Sequence, residues 1–72
     1  MTSAEIKEAM RNFSPVRYNG IEYKQINAYI YRIYRNPQTG KFKEAFQLEL
    51  QDKKANSIIF AEAEKVELIN ND

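Results

Sequence analysis

A chain of 72 residues with 43% apolar and 29% charged side chains has the length of one small domain and no room for a second. It contains no cysteine and no histidine, which excludes a disulfide staple, a thiol nucleophile, an imidazole base and an ordinary zinc site. A domain this small buries only about 60% of the surface its unfolded chain exposes, so a deep substrate cavity would erode a core that is already thin. The net charge of +1 is unevenly spread. Residues 7–43 hold eight lysines and arginines against two glutamates, and residues 44–72 hold three cations against seven carboxylates. That asymmetry predicts an electropositive face.

No stretch approaches the roughly 18 apolar residues of a membrane span, and the N-terminus lacks a signal peptide's basic start and hydrophobic middle. The expectation is a soluble, cytoplasmic chain without membrane partners. Asn12-Phe13-Ser14 fits the glycosylation pattern but has no export signal to give it meaning.

Thr2 and Glu5 have capping-box spacing, and Ile6, Ala9, Met10 and Phe13 follow at helical intervals, which predicts a short amphipathic helix of about 3–12. Pro15 disfavours helical geometry at Ser14 and ends it. From Val16 onward β-branched and aromatic residues dominate, broken by turn signals at Asn19-Gly20, at 36–40 and at 52–56. Five strands follow, near 16–18, 21–35, 41–51, 57–61 and 66–69, the second kinked or bulged near Gln25, with a 3₁₀ turn at 62–64 before the last. The domain thus divides into a helix and linker (1–14), a mainly β body (15–69) and a tail (70–72).

Setting Arg35 opposite Lys41 across a five-residue loop brings Tyr34 to Phe42, Ile30 to Phe46, Ala28 to Leu48 and Ile26 to Leu50, with Arg32 facing Glu44. The next hairpin then sets Leu50 opposite Ile58 and Leu48 opposite Phe60, so that Phe46, Leu48, Ile58 and Phe60 are expected inside. The opposite face carries Tyr29, Tyr31 and Ile33 beside Lys43, Ala45, Gln47 and Glu49, too apolar for a purely solvated sheet. Two readings fit it. Either the helix lies across it, with Ile6, Met10 and Phe13 meeting Tyr29 and Tyr31, or it binds a partner while the helix plugs a barrel end.

The run from Val16 to Ile69, with its short strands, long first loop region, two central hairpins and single turn before a closing Ala63-Glu64-Lys65-Val66-Glu67-Leu68, resembles an SH3-like small β-barrel over about three quarters of the chain. The resemblance implies a five-stranded antiparallel barrel preceded by one N-terminal helix. Peptide-reading SH3 domains grip proline-rich ligands with aromatic residues that include a tryptophan; this chain has none, so the ligand specificity does not carry over. An OB-fold is the nearest alternative closure.

The two glycines, Gly20 and Gly40, each sit at a predicted turn and cannot build a phosphate-binding loop or a dinucleotide fingerprint. Ser3, Ser14 and Ser57 have no histidine to activate them, and the carboxylates Glu62 and Glu64 lack the ligand count of a calcium loop. The expectation is a chain that is not an enzyme and carries no cofactor. Its predicted role is an interaction module that binds a protein partner or its own copy through Tyr29, Tyr31 and Ile33. The alternative is a nucleic-acid-binding barrel using Arg32, Tyr34, Arg35, Lys41 and Lys43 around the 36–40 hairpin, where charge and rings occur together.

Overall fold

The computed structural model describes residues 1–69; the predicted tail, 70–72, lies outside them. The chain runs through α1 (Ser3–Arg11), β1 (Val16–Tyr18), β2 (Ile21–Tyr23), β3 (Gln25–Arg35), β4 (Phe42–Gln51), β5 (Ile58–Glu62), a 3₁₀ turn (Ala63–Lys65) and β6 (Glu67–Leu68). It is mainly β with one short N-terminal helix. The strands form two three-stranded antiparallel sheets, ordered β2-β1-β6 and β3-β4-β5, and no ladder joins them among the described residues. There are six strands where five were expected, because the predicted 21–35 strand is divided at Lys24 between the two sheets. The Lys24 N–H at that corner donates to the Gln51 carbonyl at 2.8 Å.

Helix α1 begins in the expected capping box: the Glu5 N–H donates to the Thr2 hydroxyl, and the Thr2 N–H donates to the Glu5 carboxylate at 2.8 Å. Those bonds to Thr2, the backbone one first, hold the Glu5 carboxyl below its usual range. The far end differs from expectation. The helix stops at Arg11, and Phe13 adopts φ 52° outside it while its N–H bonds the Met10 carbonyl and the Ser14 N–H bonds the Ala9 carbonyl. That pattern is a Schellman cap, whose left-handed position glycine fills without cost. Phe13 is exposed there instead of joining the helix's apolar stripe. Phe13→Gly is therefore expected to stabilise the chain by roughly 0.5–1 kcal/mol, read from the urea midpoint; a loss of stability would mean that the ring makes contacts outweighing the strain.

Ile6 and Ala9 of α1 pack with Val16, Tyr23, Ile26, Leu48, Leu50, Ala61, Ala63 and Val66 into one buried cluster, with Met10 and Tyr29 at its margin. Helix α1 packs chiefly on β3. It covers the body end of the face that carries Tyr29 and leaves Tyr31 exposed. Between the sheets, Glu22 of β2 accepts from Lys53 of the β4–β5 loop at 2.7 Å and from Arg17 of β1 at 3.3 Å. Lys53 and then Arg17 hold the Glu22 carboxyl below its usual range, so its contribution is complete above that range and is lost as pH falls through the lowered folded value. The stability difference between the parent and Glu22→Gln should be present at neutral pH and vanish well below about pH 4; a pH-independent difference would contradict the bridge.

The register corrects the expected pairing. Asn36 still bonds across to Lys41, so Arg35 faces Phe42, Tyr34 faces Lys43, Ile33 faces Glu44, Arg32 faces Ala45, Tyr31 faces Phe46 and Tyr29 faces Leu48. The first hairpin loop is one residue shorter than predicted. A bulge at Asn27 then absorbs the slip, and only the expected pairing of Ile26 with Leu50 stands. The bulge is held by a chain of side-chain amides, Gln25 to Asn27 and Asn27 to Gln51, each at 3.0 Å. The second hairpin repeats the difference: the Asp52 N–H donates to the Ser57 carbonyl, which moves Ile59 opposite Leu50 and Ala61 opposite Leu48. A one-residue slip exchanges the faces of a strand. The slip turns Ile58 and Phe60, expected inside, to the exposed face, while Leu48 remains fully buried and Phe46, also expected inside and on Leu48's face, is exposed because β5 does not reach it.

Candidate functional site

Strand β5 pairs only with residues 47–51 of β4. Beyond that point residues 31–35 of β3 and 42–46 of β4 continue as a two-stranded ribbon, closed by the Asn36–Lys41 loop and without a third strand among the described residues. This arm contributes to a molecule 47 Å long and only 26 by 20 Å across. The loop at its tip is locally fixed: the Asn36 side-chain oxygen accepts from the Gln38 N–H at 2.9 Å, and the Gly40 N–H returns to the Asn36 carbonyl. Gly40 sits at φ 71°, the left-handed position the turn requires.

Alternation along the paired strands gives the arm two unlike faces. On the apolar face lie Tyr31, Ile33 and Arg35 of β3 with Phe46, Glu44 and Phe42 of β4. Ile33 is 57% exposed and Phe42 69% exposed. The Phe46 ring is 5.2 Å from that of Tyr31 and 6.0 Å from that of Tyr29, joining the arm to the half-buried base of the sheet. The Arg35 guanidinium lies 5.9 Å over the Phe42 ring. Loss of solvent around the Tyr31 phenol, followed by the neighbouring Glu44 carboxylate, raises its pKa above the usual tyrosine range.

The basic face carries Arg32 and Tyr34 of β3 with Lys43 and Ala45 of β4, and the Arg32 guanidinium reaches back to 5.9 Å over the Phe60 ring. At the tip a hollow of about 650 Å³ is lined by Tyr34, Arg35, Lys41, Phe42 and Lys43 together with the loop. At the base, where β5 ends, a groove of about 690 Å³ is lined by Ile6, Tyr29 and Phe46, by Tyr34 and Lys43 of the arm, and by Glu44, Glu62 and Glu64. Glu62 in that groove is paired with Lys65 at 3.1 Å.

The structure therefore sorts the expected site residues. Tyr29, Tyr31 and Ile33 share one face, but Tyr29 belongs to the covered base and only Tyr31 and Ile33 to the open arm. Arg32, Tyr34 and Lys43 share the other face, Arg35 turns to the apolar side, and Lys41 lies in the loop. Phe42 and Phe46 join Tyr31 and Ile33, which the sequence reading missed by assigning them inward. The signal was available in Asn36 and Asp52, side chains that cap a turn from its first position while their backbones still close the ladder.

Among the described residues no helix is long and apolar enough to cross a membrane, and no group of three or more Asp or Glu side chains is placed to hold a metal ion. Compared with protein-family models, curated proteins and solved structures, the chain matches none of them.

Proposed function

We propose that the chain is a non-catalytic interaction module whose contact surface is the apolar face of the β3–β4 arm, and that the surface's first occupant is a second copy of the same chain. The observation that carries this is an uncovered strip of Tyr31, Ile33, Phe42 and Phe46 on a ribbon lying outside the core. Large apolar side chains grouped on one exposed face mark contact surfaces rather than solvated ones. The charges on this face are one of each sign, Arg35 and Glu44, so two copies meeting face to face in antiparallel register bring unlike charges together. A ribbon five residues long offers far less than the roughly 800 Å² per partner of a stable complex, which sets the expectation of a weak, reversible dimer.

The finer architecture in this reading is an SH3-like arrangement of the two sheets. Its support is a continuous Ile21–Arg35 path shared between them at Lys24, two central hairpins, and a single 3₁₀ turn before the last strand.

Size-exclusion chromatography with light scattering, run over a range of chain concentrations, tests the function. The expected result is a mass rising from monomer toward dimer, with the double variant Ile33→Ser, Phe42→Ser remaining monomeric and melting near the parent temperature. A parent chain that stays monomeric at every concentration, or a variant that associates like the parent, would contradict the assignment of this face.

A further inference from the structure

We propose that the basic face and tip of the β3–β4 arm form a binding element for duplex DNA, with the ribbon entering the major groove. This inference concerns the face opposite the one assigned above and does not depend on self-association. Between residues 31 and 46 the chain carries Arg32, Arg35, Lys41 and Lys43 against a single carboxylate, Glu44, and the register places Glu44 on the apolar side. The basic face of the arm presents Arg32, Lys43 and Tyr34, with Glu62 and Glu64 meeting Tyr34 and Lys43 in the groove at its base, and the tip hollow adds Arg35 and Lys41 without a carboxylate.

Charge alone would suit any polyanion; the shape narrows the choice. The ribbon's five paired positions extend about 17 Å at roughly 3.3 Å per residue, and a bare pair of strands about 5 Å apart fits a B-form major groove about 12 Å wide and 8.5 Å deep. The A-form groove of duplex RNA is too narrow to admit it. Single strands are held by ladders of stacking rings, and on this face Tyr34 is the arm's one ring, Phe60 lying behind Arg32. An acidic protein would need an apolar centre to its contact; on the arm itself the large apolar side chains are on the other side, and Phe60 and Ile58, exposed on the basic side, lie on β5 below it, so polyglutamate competition is the test that separates the two. Arg32 and Lys43 are the side chains placed to meet base edges or flanking phosphates, and Arg35 and Lys41 at the tip add phosphate contacts.

Fluorescence anisotropy with a labelled 18-base-pair DNA duplex, its RNA counterpart, single-stranded DNA of the same sequence and polyglutamate as competitor tests this directly. The expected result is tightest binding to duplex DNA, weakening about forty-fold between 50 and 200 mM salt if three phosphates are contacted. Arg32→Ala with Lys43→Ala should lower both affinity, by about ten-fold or more, and the salt slope, while Ile33→Ser, on the apolar face and outside the tip hollow, leaves both unchanged. Several results would overturn the proposal: no binding to duplex DNA at 20 mM salt, equal or tighter binding to duplex RNA or single strands, displacement by polyglutamate at matched charge, or an Arg32/Lys43 variant with parental affinity and slope. Circular dichroism of each variant excludes unfolding as the cause, and Lys41→Ala, in the loop and outside every ladder, supplies a second variant expected to reduce the slope.

Discussion

Leu48→Ala should lower stability by about 2–5 kcal/mol, whereas Phe46→Ala, two residues away on the same strand and the same face, should cost about 1 kcal/mol or less. Leu48 is completely buried, beside Ala61 and Tyr29 in the ladder and in one cluster with Ile6 and Leu50. Its truncation leaves a cavity in the middle of the only buried cluster among the described residues. Phe46 is 46% exposed, and its aromatic neighbours are Tyr29 and Tyr31, so the space left by its ring opens to water. A domain of this length holds roughly 4–10 kcal/mol in total, and the Leu48 variant should melt some 10–25 °C lower or be partly unfolded at room temperature. Denaturant titration of both variants decides the matter. Equal, large losses would mean that Phe46 is covered as Leu48 is and would remove the exposed apolar face of the arm.

The second large effect comes from shortening the arm. Replacing Arg32–Ala45 with Asn-Gly joins the facing pair Tyr31 and Phe46 by a two-residue turn of the kind that matches strand twist. None of the deleted residues belongs to the buried cluster. The shortened chain should fold cooperatively and melt within a few degrees of the parent, yet lose self-association and DNA binding together. Near-ultraviolet dichroism and a thermal melt establish the first outcome; light scattering and anisotropy establish the second. A shortened chain that cannot fold would place the arm among the structural elements, and one that folds but keeps both activities would move the contacts elsewhere.

Much of this organisation is written locally. The helix start follows from Thr2 and Glu5, the β1–β2 turn from Asn19-Gly20, where both residues take positive φ, and the loop positions from their polar clusters. The buried status of Ile6, Ala9, Leu48 and Leu50 follows from their spacing on α1 and β4. The faces were less legible, because those of β3 and of β5 against β4 depend on whether Asn36 and Asp52, respectively, count as loop or ladder, and each does both through backbone pairing and side-chain capping. Composition is silent on that choice. A one-residue difference there turned Ile58 and Phe60 from the expected interior to the surface, Phe46 kept Leu48's face but lies beyond the reach of β5, and the compensating bulge at Asn27 left Ile26 and Leu50 paired as expected. Phe13 escaped notice for a related reason: its place in the helical stripe suggested burial, but the Schellman cap turns the chain one residue earlier.

The central claim is that residues 31–35 and 42–46 form a contact arm outside the core. The most direct measurement is a series of ¹H–¹⁵N correlation spectra recorded as the chain concentration is raised a hundred-fold. Shifts confined to Tyr31–Arg35 and Phe42–Phe46, absent in the Ile33→Ser, Phe42→Ser variant, are the predicted result. Spectra that do not change with concentration, or shifts centred on α1 and β1 instead, would contradict it.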